Sequence, residues 1–189
     1  MSGRALYCNF IIKNKAGLSL VELVISLTVL AVLLILTIPS FKDLLMNDRV
    51  AALKSEFNNA LNYARNSALS RNVIVVVCPF SAVGSATCGG GWQAGFIVVS
   101  DPGGTSTLLL SRQTGPNDPV ISSSPVNGVS ATSVIFDTRG LATTEANFKV
   151  CDSRGASFAR SLEVLPTGLV QSGSIVGMAA WDGSVLTCP

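Results

Sequence analysis

Gly17, Leu18 and Glu22 are the residues whose types and spacing first point to chemistry, and the chemistry is cleavage followed by ion pairing. A small pair, Ala16-Gly17, stands at the junction between a basic flank carrying Arg4, Lys13 and Lys15 and an apolar run from Leu18 to Ile38. A secretory signal peptide is cut after its apolar segment. Here the small residues precede it, so a cut after Gly17 removes a short basic leader and leaves the apolar segment on the mature chain. That cut also creates a new α-amino cation at Leu18. Glu22 lies one helical turn away and is the only charged residue in the 21 from Leu18 to Ile38. A carboxylate inside a bilayer costs several kcal/mol unless it is paired or protonated. Its partner can be the amine of its own chain or of a neighbouring helix, or the acid can snorkel to the interface.

The elements that must position these groups follow in order. At about 1.5 Å per residue, a helix over 18–38 spans roughly 30 Å, the thickness of a bilayer's hydrocarbon core, and the basic flank keeps the N-terminus cytoplasmic. Pro39 lacks an N–H and clashes with the turn before it, so a bend is expected there. Beyond it, Met46, Val50, Leu53, Phe57, Leu61, Ala64 and Ala68 recur in steps of three or four, the stripe of an amphipathic helix over 39–72. After Asn72 the period changes. Strands are expected over 73–78, 92–100, 108–112, 134–136, 147–151, 157–165 and 169–171. Residues 113–128, with three prolines, two glycines and four serines or threonines, read as a loop. The expected fold is α+β: a leader over 1–17, a membrane helix over 18–38, an amphipathic half over 39–72 and an antiparallel β domain over 73–189.

Composition removes several function classes. The chain has no histidine, so the usual residue of acid/base catalysis, serine triads and most zinc sites is missing. No nucleophile–base pair can be named, so neither an enzyme nor a cofactor is expected. Asp101-Pro-Gly-Gly104 has no companion acids at calcium-loop spacing and reads as a turn, so no metal site is expected either. The formal charge of +2 comes from the leader, whose three bases face no acid; after Gly17 ten bases face eleven acids. The basic precursor therefore gives no argument for nucleic acid. Cys8 falls in the leader, with no apolar run ahead of it to make it a lipoprotein cysteine. Cys78, Cys88, Cys151 and Cys188 lie beyond the membrane segment, and without histidine or a CxxC spacing they read as disulfides of an exported domain. Three connectivities are open. The favoured one is Cys78–Cys88, closing a Gly-rich loop, with Cys151–Cys188 pinning the C-terminus.

The N-terminal arrangement, Gly17 followed by Leu18-Ser19-Leu20-Val21-Glu22, resembles the type IV prepilin family. Glu22 is the fifth residue after the glycine and Pro39 the twenty-second, where pilins carry a glutamate and commonly a proline; Leu18 replaces the usual Phe. Tyr63-Ala-Arg65-Asn-Ser-Ala-Leu-Ser-Arg71, Val75-Val-Val-Cys78-Pro79, Cys88, Trp92 and Gly95-Phe96 look like the GspH/FimT group of minor pilins and pseudopilins. Phe136-Asp-Thr-Arg-Gly140 and Phe148-Lys-Val-Cys151-Asp152 add to the match. The resemblance implies cleavage between Gly17 and Leu18 by a prepilin peptidase, N-methylation of Leu18, and pairing of Glu22 with a neighbouring subunit to set axial register. It implies a non-enzymatic filament subunit, single-pass in the inner membrane with its C-terminal domain periplasmic, working with other pilins or pseudopilins and an inner-membrane assembly platform. The expected role is a minor pilin that primes a type IV pilus or sits at its tip. The alternative is a minor pseudopilin of type II secretion. Some FimT-type proteins bind DNA through a Gly-Arg-x-Arg motif, but the corresponding stretch, Gly168-Leu169-Val170-Gln171, lacks both arginines. Arg139, Arg154 and Arg160 are the remaining candidates for contact with nucleic acid, a partner that is disfavoured.

Overall fold

The structure is a computed structural model that describes residues 17, 19–101 and 106–188, the side chains of 35–40 excepted. The leader with Cys8, the residue Leu18 and most of the Asp101-Pro-Gly-Gly104 turn lie outside the described residues. One helix, α1 (Leu20–Arg71), is followed by eight strands: β1 (Ile74–Pro79), β2 (Gly95–Asp101), β3 (Thr107–Gln113), β4 (Val120–Ser124), β5 (Val134–Phe136), β6 (Ala146–Cys151), β7 (Arg160–Val164) and β8 (Val170–Ser172). The architecture is α+β, as the sequence implies. The chain divides into two compact units, Met1–Lys42 and Asp43–Pro189.

In the first unit the described part of α1 presents apolar side chains to all sides. Among the described residues no helix is both long and apolar enough to cross a membrane. The expected span over 18–38 includes Leu18 and the side chains of residues 35–38, which fall outside that set. The bend expected at Pro39 falls there too.

In the second unit the same helix becomes one-sided. Val50, Leu53, Phe57, Leu61, Ala64 and Ala68 are buried, the stripe that the spacing predicts, and Met46 at its start is half-buried. This stripe packs onto two antiparallel four-stranded sheets, ordered β3-β2-β1-β5 and β4-β6-β7-β8. Phe57 is the centre of the core. Its ring lies 5.7 Å from Trp92, 5.0 Å from Phe96 on the first sheet and 5.0 Å from Phe148 on the second. One helical residue thus joins both sheets through edge-on or tilted aromatic contacts, each adding about 0.5–1.5 kcal/mol to the area buried. The indole N–H of Trp92 donates to the Ala131 carbonyl at 2.7 Å, which satisfies the polar end of a side chain only 5% exposed.

Three expectations are corrected. Residues 113–128 are not all loop: Val120–Ser124 form β4, paired antiparallel with β6. Three consecutive serines hid it, because strand formation there rests on Ile121 entering the core and on the ladder to β6, not on propensity. Trp92–Ala94 is a turn of 3-10 helix, and β2 begins only at Gly95. Gly95 has φ +115 and a Cβ there would stand 2.0 Å from the Arg112 carbonyl oxygen, so this position enforces glycine. Residues 157–159 are likewise outside the strand, because Ala156–Phe158 form a second 3-10 turn ahead of β7.

Gly168 fixes how the far end of the β domain closes on α1. It has φ +77, and a Cβ would lie 1.9 Å from the Gly140 carbonyl oxygen and 3.0 Å from Arg65 Nε. Arg65 donates from Nε to that same Gly140 oxygen (3.1 Å) and from Nη2 to the Thr167 oxygen (3.4 Å), clamping two loops to the helix. Gly168→Ala is expected to cost about 2–5 kcal/mol, from left-handed strain and overpacking together. Gly84→Ala has a similar φ of +73 but open space around it, so it should cost only the strain. Thermal melts of the two variants test this; equal destabilisation would remove the packing argument.

Candidate assembly surface

The first turn of α1 carries the groups singled out at the N-terminus. Gly17 is exposed, and among the described residues no atom lies within 4 Å of where a Cβ would stand. Leu18, the other residue of that bond and the expected methylation site, lies outside the described residues. The Leu23 N–H donates to the Ser19 oxygen at 3.1 Å and starts the helical ladder. Glu22 falls in the first turn, where the unsatisfied N–H groups favour an acid, and its side chain is exposed. Beyond it, Leu20, Val21, Leu23, Val24, Ile25 and Leu27 are exposed, and the pattern continues through Val29 to Leu34 and again at Phe41, Leu44 and Leu45. The polar residues within the run are silenced locally. Ser26 Oγ donates to the Leu23 oxygen and Thr28 Oγ1 to the Ile25 oxygen, both at 2.8 Å, so neither hydroxyl needs water. A helix apolar on all sides is stable only when lipid or other chains surround it.

Both expected disulfides are present, Cys78–Cys88 and Cys151–Cys188. The first staples the 79–91 loop over the outer face of the first sheet, where Phe80, Ile97 and Val99 make a small second core. The second ties the C-terminal tail onto Ala159, Ala179 and Leu186. By chain-entropy reasoning each adds roughly 2–4 kcal/mol to the β domain.

The arginines considered for nucleic acid do not form a patch. Arg139 and Arg154 belong to matching Asp-x-Arg-Gly turns, Asp137-Thr-Arg-Gly140 and Asp152-Ser-Arg-Gly155, a repetition the sequence reading passed over. In each, the aspartate accepts the arginine's backbone N–H at 2.9 Å and also holds its guanidinium. The Leu141 N–H first, and then Arg139, hold the Asp137 carboxyl below its usual range. Arg154 also lies 3.7 Å from Asp43 and 4.1 Å above the Phe158 ring. Arg139 stands beside Gly140, on the Arg65 clamp. Asp43 and Arg65 are 22 residues apart on one helix, roughly 33 Å. Arg160 raises the local potential at Lys54, which lies between them along α1; burial first and Arg160 second lower the Lys54 pKa. The three arginines are thus dispersed along α1, and Arg139 and Arg154 are each held by an aspartate of their own turn. Gly168-Leu169-Val170-Gln171 likewise forms a turn and the start of β8 rather than a row of phosphate donors.

Residues 55–168 match the family model described as Type II transport protein GspH, and residues 12–38 match the Prokaryotic N-terminal methylation motif. The chain belongs to the GspH family. It is therefore a type IV pilin- or pseudopilin-type protein, and the family is a structural one. The fold resembles that of the type IV minor pilin FimU of Pseudomonas aeruginosa strain PAO1, solved in two crystal forms. In space group P21 the likeness has a TM-score of 0.52 and 18% identity, over 71% of this chain and 96% of FimU. In space group P65 the TM-score is 0.49 at 18% identity, over 67% and 96%. No curated protein matches the sequence. Within the GspH family model fall Arg65, Gly140 and Gly168, so the clamp explains part of the motif in purely structural terms. Sequence reading missed it, because three residues from three elements carry no shared spacing.

Proposed function

We propose that this GspH-family chain is a minor pilin subunit that primes assembly of a type IV pilus or occupies its tip. The observation that carries the reading is the exposed, all-round apolar surface of α1 from Leu20 to Leu34, in which Glu22 is the one charged residue. Such a surface is covered by the inner membrane before assembly and by neighbouring helices afterwards. In this reading the segments are a leader over 1–17, a membrane and assembly helix over 18–38, an amphipathic half over 39–72 and a periplasmic domain over 73–189. A prepilin peptidase cuts between Gly17 and Leu18, Leu18 is methylated, and Glu22 accepts an ion pair from a neighbouring subunit's amine at the assembly platform. A shared register charge on a protruding helix suits a heterologous interface that propagates along a filament instead of closing. Pro39 bends the helix between its two halves.

The family description, Type II transport protein GspH, favours a second reading, a minor pseudopilin of a type II secretion system. Deletion of the gene separates the two. A pilus subunit predicts fewer surface pili with secretion intact, and an epitope tag on the β domain should label filament ends. A pseudopilin predicts the reverse, lost secretion with normal piliation. Normal piliation and normal secretion in the deletion strain would contradict both.

A further inference from the structure

Asn127-Gly128 is the one place in the chain where glycine follows asparagine. The pair forms the tip of a short hairpin. Val126 and Val129 make an isolated antiparallel bridge, each donating its N–H to the other's carbonyl, at 2.9 and 3.0 Å. Asn127 (φ +51) and Gly128 (φ +84) both lie in the left-handed region, the mark of a type I′ turn. Both residues are exposed, and among the described residues no atom lies within 4 Å of where a Gly128 Cβ would stand. No described hydrogen bond engages the Gly128 N–H either. A carboxamide and the next backbone nitrogen therefore stand side by side with no side chain shielding the nitrogen.

The other described asparagines lack this combination. Those from Asn47 to Asn66 are held in α1 and Asn147 in β6. Asn72 is followed by the β-branched Val73. Asn117 is followed by Asp118, whose N–H is bonded to the Gly115 oxygen.

We propose that Asn127 is a site of spontaneous covalent modification, in which the Gly128 nitrogen closes on the Asn127 side chain and the residue becomes aspartate or isoaspartate. The Gly128 nitrogen gives up its proton to hydroxide and attacks Asn127 Cγ. The Cγ–Nδ2 bond breaks and ammonia departs, leaving a cyclic imide. Water then opens the ring. Addition at Cγ restores the original chain with aspartate at 127, and addition at the backbone carbonyl carbon routes the chain through the side chain as isoaspartate. The sum is water consumed and ammonia released, with nothing oxidised or reduced.

The hairpin sets the rate. A type I′ turn holds the Asn127 ψ at about +30°, short of the rotation that brings the Gly128 nitrogen onto Cγ, so the reaction waits for the bridge to open. Two hydrogen bonds close that bridge and Val129 is 72% exposed, so opening is local and leaves the core in place. Either product adds a carboxylate to the cleft that Asn127 lines together with Glu145. Isoaspartate also lengthens the backbone by a methylene, which the Val126–Val129 spacing does not accommodate. The inference stands independently of whether the filament is a pilus or a pseudopilus.

The test uses full-length protein in detergent, held for days in mildly alkaline buffer and then mapped by proteolysis and mass spectrometry. The peptide containing Asn127 should gain the mass of an NH2-to-OH exchange before any other asparagine peptide does. The same peptide should become a substrate of protein isoaspartyl methyltransferase, which labels isoaspartate and not aspartate. Asn127→Gln, whose longer side chain closes the ring poorly, should lose both signals. Val129→Pro removes a bridge donor and should speed the reaction roughly two- to tenfold. Reduced protein in concentrated urea should react faster still. Three results overturn the proposal: no mass gain at Asn127 of the folded protein over several half-times of the unfolded chain, another asparagine reacting first in the folded protein, or a rate at Asn127 unchanged by both Val129→Pro and urea.

Discussion

Glu22→Ala should leave the precursor inserted and processed, with both disulfides formed, yet reduce its incorporation into filaments severely. The expected pattern follows from where Glu22 stands. Its side chain is exposed in the first turn of α1, and neighbours such as Val21 and Leu23 are apolar and exposed, so nothing in the folded domain depends on it. Alanine also makes the segment more apolar, which favours membrane residence. What disappears is the one charge able to select a register for this helix against others. In a low-dielectric surrounding, a paired carboxylate is held by several kcal/mol relative to an unpaired one, and a mismatched register forfeits that difference. Glu22→Gln separates the contributions, since it keeps shape and hydrogen-bonding capacity without charge. Equal defects in the two variants identify electrostatics; a mild defect in Gln identifies hydrogen bonding. Wild-type incorporation of both, measured by immunoblot of sheared filaments, would remove the register role.

Gly17 should show an all-or-none effect on processing. Gly17 brings no side chain to the bond after it. A bulky substitution such as Gly17→Phe places a ring beside the scissile carbonyl and should leave a precursor 17 residues too long, visible as a slower band on a gel. Membrane insertion should persist, because the apolar run is untouched. The uncut chain keeps its basic leader and has no amine at Leu18 to meet a neighbour's Glu22, so it should also be absent from filaments. Normal-length protein from this variant would mean that cleavage occurs elsewhere.

The parts of this molecule that were legible in the sequence are those carried by local periodicity. The buried stripe from Val50 to Ala68 and strands β5 and β6 follow from spacing and the change from helical to strand period, whereas the cysteine spacing favours the observed disulfide pairing without excluding the other two. Nonlocal pairing was not legible. Nothing in the sequence places β5 next to β1 or separates the strands into two sheets, because those choices depend on which apolar faces meet Phe57. β4 was read as loop for the same reason: Ser122, Ser123 and Ser124 have weak strand propensity, and only the ladder to β6 makes them extended. At the candidate sites, Gly17 and Glu22 stand out because a glycine before an apolar run and an acid within one are both rare. Arg65, Gly140 and Gly168 do not, because residues from three elements carry no shared spacing, and their contact emerges only once the loops close on α1.

The intact mass of the protein recovered from filament or pseudofilament fractions shows whether the mature protein begins with the apolar helix itself. The predicted mass is that of residues 18–189, increased by one CH2 for a methyl on the Leu18 amine and decreased by four hydrogens for two disulfides. A mature terminus beyond Ile38 would mean an ordinary signal peptide and a domain without its assembly helix, and an uncut chain in the assembled fraction would show that leader removal is not required; either would contradict the account.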